Sequence, residues 1–522
     1  MSKFYITTSI AYVNAPPHVG YAMELLQADT IARYRRLQGD DVFFLTGTDE
    51  HGAKIARAAE SAGKSPKEFV DEHASLFTAL ADKVHASHTA YIRTSDQERH
   101  WPGAQELWRR LEKAGDIYKA SYRGLYCVGH EAFITEKDLV DGVCQDHGKE
   151  PEDVEEENYF FRLSRYTGEI KKRIKSGELE IIPSFRKNEM LTFLNEGLED
   201  VSFSRPAKDI SWGVPVPGDN TQTMYVWCDA LSNYITALGF GENNTKQLET
   251  YWPCDMHVIG KDILRFHALI WPGMLLSAGI ALPKRVMAHG FINSGGKKMS
   301  KSLGNVIDPF SFIDKYGVDS LRYFLLREIP TFEDGDFTED RFTEAYNAHL
   351  ANGLGNVVSR VTKMVEAYFE GYLAKPADDL LTTAPLVSDI AFIHAKGEHL
   401  SVEGTSLLYE VERSILPLYH EHMQTYRLNE AMNIVWGIIH MMDKYIQTYE
   451  PFKLIKTDKE KTQVVLWQLL RGIDTVAYAL LPFMPQTSAS IRAMLGVDKE
   501  GIPSDQNEYT IKEREQMFPR IG

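Results

Sequence analysis

Cysteine is scarce in this sequence, with four residues among 522. So few thiols in so long a chain exclude a disulfide framework and favour a reducing compartment. No stretch approaches the roughly 20 apolar residues of a membrane helix, and MSKFYITTSIAY lacks the basic and apolar regions of a secretory leader. The net charge of −16 argues against indiscriminate coating of nucleic acids. We therefore expect a cytoplasmic protein whose binding sites are local.

The length and composition are those of a folded protein with several domains. A chain of 522 residues is several times the usual domain size of roughly 100–150 residues, so two to four domains are expected. Hydrophobic residues make up 43% and charged residues 25%, close to the average of globular proteins and far from that of disordered chains. Most of the chain should therefore fold.

The N-terminal region alternates strands and helices. FYITTSI is typical of a buried strand, residues 21–37 carry apolar side chains at helical spacing, and DDVFFLTG is typical of a second buried strand. This parallel unit places its loops at the carboxyl ends of the strands, where open α/β sheets bind ligands. Similar strand and helix patterns return in TMYVWCDALSNY and DMHVIGKDILRFHALIWPGMLL.

The α/β pattern is interrupted once and then gives way to helices. Between about residues 116 and 205, two Cys-His pairs, the acidic run EPEDVEEEN and a basic stretch indicate an inserted subdomain. Beyond about residue 347, apolar residues recur every three or four positions, as in a helix bundle. We predict an α/β domain with a parallel sheet split into 1–115 and 206–325, an insertion at 116–205, a connecting region at 326–346 and an all-α domain at 347–522.

Two segments far apart in the sequence are suited to binding phosphate. PPHVGY places His18 and Gly20 where a strand leads into a helix, whose N-terminal N–H groups attract anions. GGKKMSKS carries Lys298, Ser300 and Lys301 on a glycine-rich loop that can bring two ammonium groups to a polyphosphate. Taken alone, the first is more often a structural turn and the second a solvated basic loop. Together they are a much stronger signal.

Five segments follow one another in a family-specific order: YVNAPPHVGYA, FLTGTDEHG, YVWCDAL, VIGKDILRFH and AHGFINSGGKKMSKSLGN. With them the chain resembles the class I aminoacyl-tRNA synthetases over nearly its whole length, and among these the methionyl-tRNA synthetase family. The related synthetases for branched aliphatic amino acids carry a large editing insertion, for which 522 residues leave no room. The resemblance implies a Rossmann-like catalytic domain, a connective insertion of the zinc-knuckle type and a helical anticodon-binding bundle.

The resemblance also implies a reaction. Methionine is activated with ATP to methionyl-adenylate and pyrophosphate, and is then transferred to the 3′ end of tRNA(Met), including the initiator tRNA. Because the attacking carboxylate is already ionised, no general base is needed, and catalysis depends on in-line positioning and charge stabilisation. Mg²⁺ is expected to arrive on the phosphates of ATP. The implied catalytic residues are His18, Tyr21, Lys298 and Lys301, and the implied ATP-binding residues are His18, Gly20, Gly260, Asp262, Lys298, Ser300 and Lys301.

The implied methionine pocket combines one carboxylate with apolar and aromatic side chains. Asp49 can pair with the substrate ammonium, while Trp227 and its neighbours offer a slot suited to a thioether. Spacing alone leaves other interpretations open, because Trp227, Leu231 and Tyr234 also fit the buried stripe of a helix, and Asp262 also fits a helix cap. The full implied set is Ile10, Tyr12, Asp49, Trp227, Leu231, Tyr234, Ile263 and His267.

Two implied positions depart from the family's pattern. Tyr21 stands where the HIGH element of the family ends in histidine; it can donate a hydrogen bond but is not cationic near neutral pH. We expect activity to be retained, with an effect of about ten-fold. The family reads the CAU anticodon with an asparagine and an arginine, here Asn356 and Arg360 at a spacing of one helical turn, and a tryptophan that Phe452 replaces. Phenylalanine still stacks on bases but lacks the indole N–H. From spacing alone, Asn356 and Arg360 fit an ordinary wet surface.

The inserted region contains a candidate zinc site. Cys127-x₂-His130 and Cys144-x₂-His147 offer thiolate and imidazole ligands of the kind that bind Zn²⁺ tetrahedrally. A metal-free knuckle held by its own packing is the alternative, since some family members have lost the metal. In either case we expect a structural role.

Two other functions fit parts of the sequence. A silent paralogue that binds tRNA would not need intact His18, Asp49 and Lys298, and a nucleotidylyltransferase acting on a small metabolite would not need an anticodon-type bundle. Amino-acid-dependent exchange of pyrophosphate into ATP separates the three functions. We expect a monomer, because no OB-type or dimerising extension is apparent in the sequence.

Overall fold

The computed structural model divides into two compact units, each of which is described by itself. The first comprises residues 1–28 and 39–289, and the second comprises residues 29–38 and 290–522. The structure describes residues 1–127, 132–134, 139–145, 148–299, 304–382, 386–387, 390–393, 399–402, 405–497, 506–512 and 516–522.

The first unit is built on a parallel sheet. Its central strand Lys3–Thr8 pairs with Asp41–Asp49 on one side and with Met256–Gly260 on the other. The direction of strand addition therefore reverses at Lys3–Thr8, as in a Rossmann-like sheet. The sheet continues with Arg285–His289 and then Glu180–Ile182 beyond Met256–Gly260, and with Ala11–Tyr12 and Ala90–Arg93 beside Asp41–Asp49.

Local sequence explains how these elements form and pack. Strand Asp41–Asp49 is buried on both faces, as expected for a parallel strand covered by helices. A side chain at Gly47 would lie 2.1 Å from the Ile92 carbonyl oxygen, so only glycine fits between these two strands. Helix Pro66–Lys83 begins with a capping box between Ser65 and Glu68. The predicted strand, helix and strand at the N-terminus are thus confirmed.

The region predicted as an insertion forms an antiparallel sheet within the first unit. Its longest strands, Ile117–Cys127 and Glu152–Phe161, pair with each other. Ring stacking of Phe161 on Phe203 at 4.9 Å joins this sheet to the following segment. The predicted domain limits stay a prediction. The other elements of this region are strands Ala132–Ile134, Leu139–Val140, Val143–Cys144 and Val201–Ser202 and helices Thr167–Ser176 and Ser184–Glu196.

The remaining elements of the first unit surround one large apolar core. Tyr5, Trp108 and Trp271 are among its fully buried side chains. A small antiparallel sheet joins Ser204–Pro206, Pro215–Val216 and Asp219–Met224. The helices are Val19–Leu37, whose second half belongs to the second unit, Ala53–Ser61, Pro66–Lys83, Trp101–Lys113, Val226–Leu231, Asn233–Thr236, Lys246–Tyr251 and Trp271–Ser277, the last preceded by a π-helical turn at Phe266–Ile270.

The second unit is mainly helical. Its strands are short and pair as Ile292–Ser294 with Lys297–Lys298 and Gly335–Asp336, Tyr372–Ala374 with Glu508–Thr510, Leu386–Val387 with Thr405–Ser406, and Ile390–Ile393 with His399–Val402. Its helices are Pro309–Tyr316, Val318–Tyr323, Glu339–Ala345, Asn356–Phe369, Asp378–Thr382, Leu407–Glu410, Leu416–Gln424, Leu428–Tyr449, Pro451–Leu454, Lys459–Leu480 and Pro485–Met494, with π-helical turns at Phe324–Glu328, Tyr346–Gly355 and Val411–Ile415.

The helical prediction for this region is confirmed. The apolar stripe of the long helix Leu428–Tyr449 is buried throughout, as its three- and four-residue spacing predicts. Across the described residues of both units, no helix is both long and apolar enough to cross a membrane. The overall class is therefore a parallel α/β sheet followed by a helical C-terminal region.

Candidate active site

Three of the predicted site residues of the first unit lie at the carboxyl edge of the parallel sheet. Ile10 follows strand Lys3–Thr8, Asp49 ends strand Asp41–Asp49, and Gly260 ends strand Met256–Gly260. The crevice between Lys3–Thr8 and Met256–Gly260 is the switch point of the sheet, where α/β proteins bind ligands. The topology thus brings together residues that are more than 200 positions apart.

His18 stands at the start of the first helix and is exposed. The backbone N–H of Gly20 donates to its Nδ1 at 3.0 Å, which leaves Nε2 as the nitrogen that can donate to a phosphate oxygen. Desolvation by the surrounding protein lowers the pKa of the imidazole. The helix N-terminus beside it is a suitable environment for an anion.

Tyr21 points into the protein instead of toward solvent. Its hydroxyl lies 3.4 Å from Thr46 Oγ1, and its ring packs edge-on against Phe77 at 4.9 Å. Burial raises the pKa of its phenol, so the side chain stays neutral. The last position of the segment that resembles the HIGH element is therefore an uncharged hydrogen-bonding group.

Gly260 and Asp262 form the turn that follows strand Met256–Gly260. A Cβ at position 260 would lie only 2.7 Å from Asp262 Oδ1. The carboxylate of Asp262 is exposed at the edge of the crevice. Glycine is therefore required for the position that this carboxylate takes, and a carboxylate there can accept a hydrogen bond from a ribose hydroxyl.

Asp49 is almost fully buried, with 8% of its surface exposed. Its backbone is held by Tyr12, which pairs with it in the sheet, and by the N–H of Val13, which donates to its carbonyl at 3.2 Å. The hydroxyl of Thr94 donates to its Oδ1 at 3.4 Å. A carboxylate with so little water around it is suited to pairing with an ammonium group.

The predicted apolar pocket residues share one cluster. Leu231 and Tyr234 are fully buried in the large core, and Ile10, Tyr12, Trp227 and Ile263 pack against it. The indole of Trp227 stacks on the ring of Phe266, with centroids 3.8 Å apart. The alternative interpretation of the spacing was a buried stripe of a helix. It is correct for Leu231 and Tyr234, because both belong to the core.

His267 closes this cluster with two hydrogen bonds. Its Nδ1 donates to the carbonyl of Ile263 at 3.0 Å, so that Nε2 accepts from the hydroxyl of Tyr234 at 2.7 Å. Burial lowers the pKa of His267 to about 4. The ring is therefore neutral at physiological pH, which suits the wall of an uncharged thioether slot.

Glu24 is a buried carboxylate that sequence reasoning missed. Glu24 Oε1 accepts from the backbone N–H and the hydroxyl of Ser9, at 2.9 and 2.5 Å, and its Oε2 lies 3.0 Å from His289 Nε2. These contacts fix the segment that follows strand Lys3–Thr8. No spacing signal links three residues so far apart in sequence.

In the second unit, Lys298 lies on a tight hairpin. Gly295 and Gly296 both have positive φ angles, as a two-residue hairpin turn requires, and they join strands Ile292–Ser294 and Lys297–Lys298. Lys298 is exposed, with its Nζ 5.3 Å above the ring of Phe291. Ser300 and Lys301 lie outside the described residues.

The two cysteines of the candidate zinc site are brought together. Cys127 and Cys144 are 3% and 0% exposed and share a small cluster with Ile134. His130 and His147 lie outside the described residues. Within the described part of the chain, no group of three or more possible metal ligands is present.

The candidate anticodon residues lie on the surface of the second unit. Asn356 is exposed at the start of helix Asn356–Phe369. One turn later, Arg360 is half-buried and its guanidinium donates to Asp443 Oδ1 at 2.6 Å. Phe452 is 41% exposed, so part of its ring is accessible for stacking.

Comparison with known families gives a single answer. The family model described as tRNA synthetases class I (M) matches residues 4–145 and 134–362, and that of the anticodon binding domain of methionyl tRNA ligase matches residues 395–515. Methionine–tRNA ligase of Thermotoga maritima is 43% identical over 495 residues, covering 94% of this chain and 74% of that protein. The chain belongs to the methionine–tRNA ligases.

Further methionine–tRNA ligases support this assignment. The Brucella suis ligase is 40% identical over 511 residues, covering 97% of this chain and 93% of its own. The solved structure of Mycobacterium tuberculosis methionyl-tRNA synthetase in complex with methionyl-adenylate has a TM-score of 0.90 at 36% identity, covering 100% of both chains. The apo structure of that ligase gives a TM-score of 0.83 at 33% identity, covering 100% of this chain and 99% of its own.

Proposed function

We propose that this ligase forms methionyl-adenylate from L-methionine and ATP at the carboxyl edge of its parallel sheet. The observation that carries the proposal is the cluster that gathers Trp227, Tyr234 and Ile263 beside the strand end that carries Asp49. An apolar slot next to a buried carboxylate matches a substrate with a thioether at one end and an ammonium at the other.

The residues divide the recognition of methionine between them. Asp49 pairs with the ammonium group, and the apolar and aromatic side chains enclose the thioether. The neutral ring of His267, held by Tyr234 and Ile263, forms part of the wall. The complete set is Ile10, Tyr12, Asp49, Trp227, Leu231, Tyr234, Ile263 and His267.

The chemical step is a displacement at phosphorus. A carboxylate oxygen of methionine attacks the α-phosphate of ATP, a new P–O bond forms, and the bond to pyrophosphate breaks with its electron pair leaving on pyrophosphate. His18 and the helix N-terminus at Gly20 stabilise charge on the phosphates, and Tyr21 contributes a neutral donor. On the second unit, Lys298 and Lys301 can supply positive charge and Ser300 a hydroxyl donor to phosphate oxygens, and Mg²⁺ arrives with ATP. Asp262 binds the ribose.

The second step uses tRNA(Met). A hydroxyl of the 3′-terminal ribose attacks the carbonyl carbon of methionyl-adenylate, and AMP leaves. Recognition of the anticodon falls to Asn356, Arg360 and Phe452 on the second unit. Exposed donors and a stacking ring are the groups that read unpaired bases.

A structural Zn²⁺ fits the two cysteines that the structure describes. Buried thiols gathered in one cluster can supply two of the four ligands of a tetrahedral site, and His130 and His147 complete the set by their spacing. The metal would hold the insertion together and take no part in the reaction. Metal analysis of protein purified without chelator tests this, because a value below roughly 0.2 zinc per chain would mean a metal-free knuckle.

The proposed reaction is tested by methionine-dependent exchange of labelled pyrophosphate into ATP. Trp227→Ala should raise KM for methionine by about ten- to hundred-fold, because it removes the largest wall of the slot, and should leave KM for ATP nearly unchanged. Exchange that does not depend on methionine, or equal losses for both substrates, would contradict the proposal.

A further inference from the structure

A buried carboxylate links three segments around the proposed methionine pocket. Asp229 Oδ2 accepts a hydrogen bond from His51 Nδ1 at 2.6 Å, and its Oδ1 accepts one from His100 Nε2 at 2.7 Å. The three side chains are at most 2% exposed. They come from positions that are 178 and 129 residues apart in the sequence.

The carboxylate in this group is ionised. Burial acts to raise the pKa of Asp229, but the charge interaction with His51 and the hydrogen bonds from His100 and His51 lower it to about 2. The other nitrogen of His100, Nδ1, lies 2.8 Å from the hydroxyl of Thr236. The ring of His100 is therefore bonded on both sides and has one orientation.

The aromatic surroundings fix the second imidazole as well. The ring of His51 packs edge-on between Trp101 and Trp212, at centroid distances of 5.9 and 5.4 Å. The indole N–H of Trp101 donates to the carbonyl of Thr94 at 3.0 Å, and that of Trp212 donates to the carbonyl of Glu50. Both indole rings that contact His51 are therefore held by hydrogen bonds of their own.

The hydrogen bond between His51 and Asp229 joins two segments that carry proposed pocket residues. His51 follows Asp49 by two residues, and Glu50 between them is held by a two-pronged pair with Arg93, at 2.7 and 2.8 Å. Asp229 lies two residues from Trp227 and two from Leu231 on helix Val226–Leu231. The carboxylate therefore joins the strand end that offers the ammonium partner to the helix that offers the apolar slot.

We infer that Asp229 is a positioning residue that sets the distance between the ammonium site at Asp49 and the thioether slot at Trp227. The inference rests on the proposed function of these two residues. The slot helix has only six residues, too few to be stable by itself. Asp229 and His100 are hydrogen-bonded through both of their polar side-chain atoms, and a buried network of this kind favours one arrangement of the elements it joins.

A role in stability alone would not require a buried, ionised carboxylate between two histidines. Buried ionised groups are often no more stabilising than well-packed apolar residues of the same volume. A positioning role makes a separate demand, because methionine must meet a carboxylate and an apolar wall at one fixed separation. Loss of the link should therefore weaken methionine binding selectively and should also weaken discrimination against analogues of different length.

The test compares KM values in pyrophosphate exchange for matched variants. Asp229→Asn should raise KM for methionine about ten-fold or more, with KM for ATP changed by less than about three-fold. The ratio of kcat/KM for methionine over ethionine, whose side chain is one carbon longer, should fall. Asp255→Asn is the control, since Asp255 is also a buried carboxylate but accepts from the Tyr5 N–H and Lys284 at the amino end of the strands.

A second pair of variants keeps the test decisive if Asp229→Asn does not fold. His100→Gln retains a donor near the place of Nε2, whereas His100→Leu removes it at similar volume. The glutamine variant should stay within about three-fold of the parent in KM for methionine, and the leucine variant should show the rise of about ten-fold. Melting temperatures establish that both are folded.

The outcomes separate this inference from the proposed function. Folded Asp229 and His100 variants with unchanged KM for methionine, or with equal changes in both substrates, would overturn the positioning role. If Trp227→Ala also left KM for methionine unchanged, the proposed pocket itself would fail. A rise in KM for methionine in Trp227→Ala alone would leave the pocket standing and remove only the link through Asp229.

Discussion

The candidate methionine pocket in the first unit and the candidate anticodon surface in the second unit treat polar groups in opposite ways. In the pocket, Asp49 and His267 are 8% and 1% exposed and are held by hydrogen bonds from within the unit. On the anticodon surface, Asn356 is exposed and Phe452 is 41% exposed. Arg360 is half-buried and its partner is a single carboxylate.

The contrast fits the partners that we propose for the two surfaces. A small substrate that must be placed within a fraction of an ångström requires groups that are already oriented and desolvated. An anticodon has unpaired bases that can adapt to the protein, so exposed donors and a ring face suffice. Substitutions in the pocket should therefore act on adenylation and on stability, whereas those on the anticodon surface should act on tRNA charging alone.

The largest expected effect concerns the phosphate end of the pocket. His18→Ala should lower kcat for pyrophosphate exchange about 10²- to 10³-fold, because it removes the donor that we propose for the developing charge on the phosphates. KM for methionine should change little. The exposed His440 on helix Leu428–Tyr449 provides the control, since His440→Ala should leave exchange intact; a loss of activity equal to that of His18→Ala would break the comparison.

The pH dependence of stability should also distinguish the two regions. The pKa of His267 is about 4 in the folded protein, below its unfolded value, so the unfolded chain binds the proton first as pH falls. The stabilisation is complete above about pH 6.5 and is lost toward pH 4, amounting to about 3 kcal/mol. Between pH 7 and 4.5, the melting temperature of His267→Asn should fall less steeply than that of the parent protein. The melting temperature of Arg360→Ala should fall as steeply as that of the parent protein. Parallel curves for His267→Asn and the parent would contradict this.

On the anticodon surface, Arg360→Ala should lower kcat/KM for tRNA charging by about ten-fold, which corresponds to loss of one base contact. Pyrophosphate exchange should not change. Arg360 donates to Asp443, and Asp443→Asn keeps a side-chain oxygen that can accept this hydrogen bond. We therefore expect Asp443→Asn to have a smaller effect on tRNA charging than Arg360→Ala. Lys363→Ala, an exposed residue within one turn of Arg360, is the control. A matching loss in exchange would mean that the surface is not separate from the chemistry.

The smallest expected effect is at the stacking position. Phe452→Trp should strengthen tRNA binding by a few-fold, or about 1 kcal/mol, because the indole adds stacking area. Phe452→Leu should weaken it by a similar factor, since it keeps apolar bulk without a ring face. Direct binding of tRNA(Met) measures both. Identical affinities in the three proteins would show that no base stacks on this side chain.

Much of the fold could be predicted from the sequence, whereas the roles of the candidate site residues stay predictions. Alternating apolar strands and helices predicted the parallel sheet, and the stripe from Leu428 to Tyr445 predicted the helical region, because both depend on periodicity within one element. The candidate pocket residues came from the resemblance to the family, which short motifs such as YVWCDAL carry for Trp227 and Leu231.

What the sequence could not reveal depends on contacts between distant segments. Nothing in the spacing of His51, His100 and Asp229 indicates that they meet, and each would read as an ordinary polar residue. The same holds for Glu24 and His289, which come together only because the sheet brings their strand and helix to one edge. Three-dimensional partners of this kind require the tertiary structure.

The absence of a side chain at Gly260 allows the position of Asp262 to be changed by a single substitution. A methyl group there would meet the movable end of Asp262 instead of the backbone, so Gly260→Ala should displace that carboxylate at little cost to folding. If Asp262 binds the ribose as we propose, this variant should bind ATP more weakly and methionine as before. It would make a conditional allele whose growth defect is relieved by raising the supply of one cosubstrate and not the other.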